Sequence, residues 1–226
     1  VRRIITDFDG PIADLSGRYY HVYRLCVEGI DADGRKIDPL SAERFWELKR
    51  QQVPEIEIAK LTGYDDSQAV AFRQMRDEIA HQRQYLHLDR LIPAAVETLA
   101  SIQAAGIELV VMTLRRRSEL DFALDAFDLH RFFPVDRQFC LSDDCGSRTV
   151  ADKCALMARA NDILPPASQT WFVGDTEADI VAAKEYNIPA IAVLSGIRSH
   201  DRLLSLSPST IVANLPAAYQ WIIDHS

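Results

Sequence analysis

Apolar residues recur along this chain with two different spacings. Up to about residue 90 they fall at three- and four-residue steps, in RYYHVYRLCVEG, PLSAERFWELKRQQ, PEIEIAKLTG and DSQAVAFRQMRDEIAHQRQYL, with Gly, Pro and Asp between the segments. That spacing predicts successive amphipathic helices. From residue 91 the texture changes. PAAVETLASIQAAG reads as a helix closed by Gly106, and IELVVMT as a buried strand. Further strands are predicted at QFCLS, TWFVGD, AIAVL and TIVAN, with helices at 117–127, 151–162, 177–186 and 215–223. One more strand stands apart at the start, where RIITDFDGPIADL runs an apolar stretch into two aspartates.

Near-continuous apolar strands alternating with helices indicate α/β architecture, a doubly wound parallel sheet covered on both faces. Strand one and everything after residue 90 are expected to form the core, residues 1–14 and 91–226. The helical block at 15–90 is then an insertion at the carboxyl end of strand one, where open α/β sheets bind ligands, placed as a smaller α-helical cap.

Composition narrows the function. The chain has 226 residues, 48% of them hydrophobic, enough for a core domain with a smaller companion. A net charge of −8 and a pI near 5.2 argue against nucleic acid as partner and favour small substrates. No run approaches eighteen apolar residues, and the first strand leaves no room for a signal peptide, so a cytoplasmic protein without membrane contact is expected. Cys26, Cys140, Cys145 and Cys154 include no CxxC pair and read as reduced, mostly buried thiols.

The chemistry begins with Asp7 and Asp9. In an extended chain they point the same way, and such a pair persists only with a cation between the carboxylates or a proton on one of them. Other strand ends add to the set: Thr113 ends LVVMT, Asp175 ends WFVGD with Asp179 four residues on, and Lys153 starts the helix ADKCALMARA. Asp175 and Asp179 flank a helix start, a spacing that lets both approach one cation. Arg148 is the nearest alternative to Lys153. The run Arg115–Arg116–Arg117 reads as a solvated helix start, with substrate recognition just past the Thr113 strand as the alternative, and Arg18, Tyr19, Lys49 and Arg50 are candidates for reading a leaving group from the cap.

DFDG, Thr113, Lys153 and GDTEAD resemble, in order, the four motifs of the haloacid dehalogenase superfamily in its phosphatase branch. The helical insertion is similar to the cap of phosphoglycolate-phosphatase-like members. The resemblance implies Mg²⁺-dependent hydrolysis of a small phosphorylated metabolite through an aspartyl-phosphate. Asp7 would be the nucleophile and Asp9 the acid and then the base. Mg²⁺ would be held by the Asp7 carboxylate, the Asp9 backbone carbonyl and Asp175, with Asp179 as a further or supporting carboxylate. Thr113, Leu114 and Lys153 would bind phosphoryl oxygens, and Gly10 would turn the chain and bare its amide to the phosphate. Pro11 and Leu114 stand where members often have threonine and asparagine, and Pro11 has no N–H to offer. The alternatives are a phosphomutase of the same family and a non-catalytic binding protein on this fold.

Overall fold

The structure, a computed structural model, describes residues 1–30, 34 and 37–225. The predicted core reaches residue 226 and the predicted cap includes 31–33, 35 and 36, which lie outside the described residues. By its internal contacts the chain divides into two compact units, Val1–Asp14 with Leu91–Ser226, and Leu15–Arg90.

The first unit is built on six parallel strands: β1 (Arg2–Thr6), β2 (Glu108–Arg116), β3 (Gln138–Leu141), β4 (Gln169–Gly174), β5 (Ala190–Val193) and β6 (Thr210–Val212), in the order β3-β2-β1-β4-β5-β6. From β1 the chain steps outward through β2 to β3, then returns to the other side of β1 for β4 and continues outward. This reversal falls between β1 and β4, and doubly wound sheets take ligands at the carboxyl ends of the strands at such a point. Strand β1 is central, with Ile5 opposite Val110 on one side and Phe172 on the other. Alternate residues serve the two faces. Ile5, Val110, Met112, Phe172, Ala190 and Ala192 share a buried cluster with Leu156, Met157 and Ile180, from α7 (Val150–Ile163) and α8 (Glu177–Glu185) in the numbering of helices along the chain.

Strand β2 runs three residues beyond the predicted end at Thr113, as far as Arg116. Arg115 and Arg116 are therefore not the solvated helix start that the charge run suggested. The Arg115 guanidinium is buried, and that of Arg116 donates to the Cys145 carbonyl. Only Arg117 begins a helix, Arg117–Ala126. All four cysteines are free thiols, two of them buried.

At the amino ends of the strands, Glu108 receives Arg3 on one carboxylate oxygen and Arg137 on the other, the latter at 2.6 Å. Partial burial works against the Glu108 charge, but the two guanidinium groups outweigh it and hold its carboxyl below the ordinary range.

Among its described residues the second unit holds the helices α1 (Ser16–Gly29), α2 (Ala42–Arg50), α3 (Glu55–Thr62) and α4 (Asp66–Ile79). Val22, Tyr23, Cys26 and Val27 of α1 pack with Phe45, Leu48, Ile58, Ala69 and Phe72 into a core of their own. Tyr23 knits it: its hydroxyl accepts the Leu40 N–H at 2.8 Å and lies 3.0 Å from the Thr62 hydroxyl. Since Thr62 donates to Ile58, Tyr23 is the donor in that last pair. Helix α4 stops at Ile79, short of the predicted end near Leu86, and a 3-10 turn follows at Arg83–Leu88. The reason lies in Arg18. Its guanidinium takes the Ala80 carbonyl at 2.9 Å and Asp89 at 2.8 Å, and both members of the Arg18–Asp89 pair are 1% exposed. Arg18 is thus a strut inside this unit rather than a reader of a leaving group. Among the described residues no helix is long and apolar enough to cross a membrane.

Two outcomes follow. Arg18→Met removes the guanidinium partner of a buried carboxylate and lowers stability to urea by about 3–5 kcal/mol, part of which Asp89→Leu restores when added. Glu108→Gln costs about 1–2 kcal/mol at pH 7. Because the folded Glu108 carboxyl titrates below its unfolded range, the difference between the two proteins persists above that range and closes as pH falls through the folded value.

Candidate active site

Asp7 is the first residue past β1, its N–H still held by the Val173 carbonyl of β4 at 2.8 Å. Its carboxylate is buried and held at both oxygens. Oδ1 accepts the Phe8 N–H at 2.6 Å, and Oδ2 lies 2.9 Å from the Lys153 ammonium. Lys153 comes from the first turn of α7, whose start is fixed by a reciprocal cap between Thr149 and Asp152. The lysine is 0% exposed, and its Nζ is also 2.7 Å from Asp179 Oδ1. Burial alone would lower the Lys153 pKa, but Asp179 and Asp7 together outweigh it and raise it. Arg148, the alternative to Lys153, is engaged elsewhere, with Glu119 and the Leu114 carbonyl.

Asp179 serves two purposes with two oxygens. Oδ2 accepts the Asp175 N–H, the Thr176 N–H and the Thr176 hydroxyl, tying the β4–α8 turn, while Oδ1 faces Lys153. Asp175 differs. Its Oδ2 accepts the Ile197 N–H at 2.6 Å, and its Oδ1 is buried with no hydrogen-bond partner among the described residues.

One oxygen each from Asp7, Asp175 and Asp179 lie within 4.8 Å of one another, all three residues buried. Burial is the largest influence on Asp7 and pushes its carboxyl up; Lys153 pulls it down, Asp179 and Asp9 push it up, and it comes to about 7. Asp175 is likewise raised, first by burial and then by the charges of Asp179 and Asp7. Hard oxygen donors, surplus negative charge and an orphaned carboxylate oxygen are what a small divalent cation requires, and the site fits one.

Thr113, buried near the end of β2, accepts the Arg115 N–H on its hydroxyl oxygen at 3.2 Å, which leaves the hydroxyl proton to be donated. Leu114 packs its side chain against the core cluster. Asp9 is 28% exposed at its side chain and pairs with Arg115. Gly10 corrects an expectation. Its N–H donates to the Ala13 carbonyl at 2.8 Å, closing the turn, so the amide is not bared to a ligand. Glycine is required there for another reason: φ is +90°, and a Cβ would come within 2.4 Å of the Asp175 carboxyl carbon.

Two contributions went unread in the sequence. The loop after β5 grips Asp175 and the Gly10 turn together: Ser195 donates to the Gly10 carbonyl at 2.7 Å, Ile197 donates to Asp175, and a Cβ on Gly196 would meet Asp175 Oδ2 at 1.9 Å. A glycine just past a predicted strand, in LSGI, is the signal that marks it. Arg115 is the second. It lies two residues after Thr113 on a strand and so on the same face, which strand periodicity makes legible.

The model of the haloacid dehalogenase-like hydrolases matches residues 1–187. The phosphoglycolate phosphatase of Pseudomonas fluorescens is 25% identical over 191 residues, 81% of this chain and 67% of that protein. That of Escherichia coli K12 is 28% identical over 126 residues, 55% of this chain and 48% of that protein, so the matched stretch spans about half to two thirds of these relatives. A haloacid dehalogenase-like family hydrolase from Streptococcus pneumoniae superposes with a TM-score of 0.70 at 18% identity, covering 98% of each chain, a likeness of fold.

A cation at this site is measurable without turnover. Mg²⁺ at about a hundred times its Kd adds about 2.7 kcal/mol, roughly 5–10 °C in Tm for a chain of this size. Asp175→Asn removes one of the crowded charges, so in EDTA that variant melts no lower than wild type, and Mg²⁺ leaves it unmoved. A full Mg²⁺ shift in Asp175→Asn places the ion elsewhere.

Proposed function

Because the chain belongs to the haloacid dehalogenase-like hydrolases, we propose that it is a Mg²⁺-dependent phosphatase that hydrolyses a small phosphorylated metabolite through an aspartyl-phosphate on Asp7. The observation that carries this reading is the state of Asp7, buried beside a 0%-exposed lysine and next to the orphaned Asp175 oxygen. A carboxylate so confined has the Phe8 amide and Lys153 to orient it for in-line attack on phosphorus, and splitting the hydrolysis into two displacements lowers each barrier.

The remaining roles follow from what each group has left to offer. Asp9 gives its proton to the departing alkoxide and later takes one from the water that cleaves the aspartyl-phosphate. The Thr113 hydroxyl, the Leu114 amide and the Lys153 ammonium meet the other phosphoryl oxygens, where charge builds in the transition state. The Asp7 carboxylate, the Asp9 carbonyl and Asp175 would hold Mg²⁺, which when bound screens the negative charge that otherwise keeps one anion from attacking another. Asp179 is a further or supporting carboxylate: its Oδ2 holds the β4–α8 turn and its Oδ1 lies 2.7 Å from Lys153. Gly10 contributes by its close approach to Asp175 rather than through its amide. We assign the helical unit as the cap and the cytoplasm as the compartment. Phosphoglycolate, named for the curated relatives, leads a set of candidates that includes small sugar phosphates.

Release of inorganic phosphate from a panel of phosphorylated metabolites, with Mg²⁺ and with EDTA, tests the reading. A selective, Mg²⁺-dependent signal is expected, and Asp7→Asn lowers it by at least about 10³-fold. Full activity in Asp7→Asn, or equal activity in EDTA, overturns the mechanism.

A further inference from the structure

We infer that Arg115 is the positioning residue for Asp9, holding the acid/base carboxylate by one oxygen so that the other is presented to the reacting atoms. The inference rests on the role proposed above for Asp9. Its basis is a local geometry that the four motifs do not contain. Nε and Nη2 of Arg115 both donate to the same oxygen, Asp9 Oδ1, at 2.9 and 2.7 Å. Asp9 Oδ2 accepts no hydrogen bond among the described residues, and the Asp9 side chain keeps 28% of its surface open. Two charge-assisted donors converging on one oxygen fix its place and leave the other oxygen to the open side.

The guanidinium is itself immobilised. Arg115 is 2% exposed, its guanidinium carbon lies 4.8 Å from the centre of the Phe8 ring, and its backbone N–H is held by the Thr113 hydroxyl. One residue of β2 therefore couples two parts of the site. Its main chain sets the Thr113 hydroxyl, and its side chain sets Asp9, with Phe8 as the surface on which the guanidinium rests. A lysine could not reproduce this, because an ammonium is a point donor without the planar fork.

The proton inventory suits the two oxygens. In the first half-reaction the proton on Oδ2 passes to the leaving oxygen as its bond to phosphorus breaks, and the carboxylate so formed stays paired with Arg115. In the second, Oδ2 takes a proton from the attacking water as the bond from Asp7 to phosphorus breaks, which restores the starting state. Oδ1 stays on Arg115 throughout, so no rotation of Asp9 is needed between the steps.

A double-mutant cycle on the best substrate of the panel decides the matter. Arg115→Gln is expected to lower kcat by about 10–100-fold, the cost of misplacing a reacting group by an ångström, with KM within about twofold. In the Asp9→Asn background the same substitution changes kcat no further, because a residue acting through Asp9 has nothing left to act on. Arg115→Lys gives an intermediate kcat. A second full loss in the Asp9→Asn background, or a rise in KM in place of a fall in kcat, overturns the inference and makes Arg115 a direct ligand of substrate. The proposed function fails separately, if Asp9→Asn alone keeps wild-type kcat. Should Arg115→Gln not fold, Arg115→Lys carries the cycle: a loss in the Asp9 protein that vanishes in the Asp9→Asn background supports the inference, and an equal loss in both overturns it.

Discussion

The crowding of negative charge at the carboxyl ends of β1 and β4 governs the rest of this structure. Four carboxyl groups, Asp7, Asp9, Asp175 and Asp179, stand against one ammonium and one guanidinium, two surplus charges if all four ionise. At the 4.8 Å limit of the buried triad, one pair of like charges repels by roughly 3–4 kcal/mol at an effective dielectric near 20. A hydrogen bond to a charged group returns about 1.5–3 kcal/mol, so backbone amides do not offset the crowding unaided. Opposite charge does most of it. Asp7 and Asp179 share Lys153, and Asp9 has Arg115. Asp175 forms no ion pair among the described residues: one oxygen has the Ile197 amide, and the other has no hydrogen-bond partner. The deficit of positive charge is therefore at Asp175.

That deficit explains features that look unrelated. Close approach at Asp175 demands two residues without a Cβ, Gly10 and Gly196, from opposite ends of the chain. The β5 loop must then be anchored on the Gly10 turn, which Ser195 does. Asp179 must lie in the first turn of α8, because three donors at that turn are the means of holding one of its oxygens while the other meets Lys153. The reversal of strand order brings β1 and β4 side by side, and so places Asp7 and Asp175 together.

Much of this was legible in the residues, for identifiable reasons. The sheet strands are short, apolar and bounded by turn residues, so the parallel core could be read from RIIT, ELVVM and WFVG. Asp7 and Asp9 show as a pair because of strand alternation. Arg115 fails the same reading although it obeys the same rule, since three consecutive arginines look like solvated surface, and only the pairing with Asp9 makes one of them an interior residue. The Gly10 amide was misread because a glycine in a turn is compatible with either a bared or an engaged N–H, and the Ala13 carbonyl that takes it is a matter of turn closure. The end of α4 was missed for a long-range reason: the Ala80 carbonyl is claimed by Arg18, 62 positions away.

The distribution of these groups along the chain bears on what can vary. Every residue given a role in phosphoryl transfer lies in Val1–Asp14 or Leu91–Ser226, and none in Leu15–Arg90. The helical unit has its own aromatic core and its own strut, the Arg18–Asp89 pair, which joins positions 71 apart near its two ends. The core in turn fastens the points where the chain leaves and returns, with Ile92 donating to the Ile12 carbonyl at 2.8 Å. A unit stabilised from within and spliced between fastened ends can change its surface without disturbing the carboxylates. Under the proposed function the reaction class is set by electrostatics that tolerate little change, and the helical unit is under no such constraint.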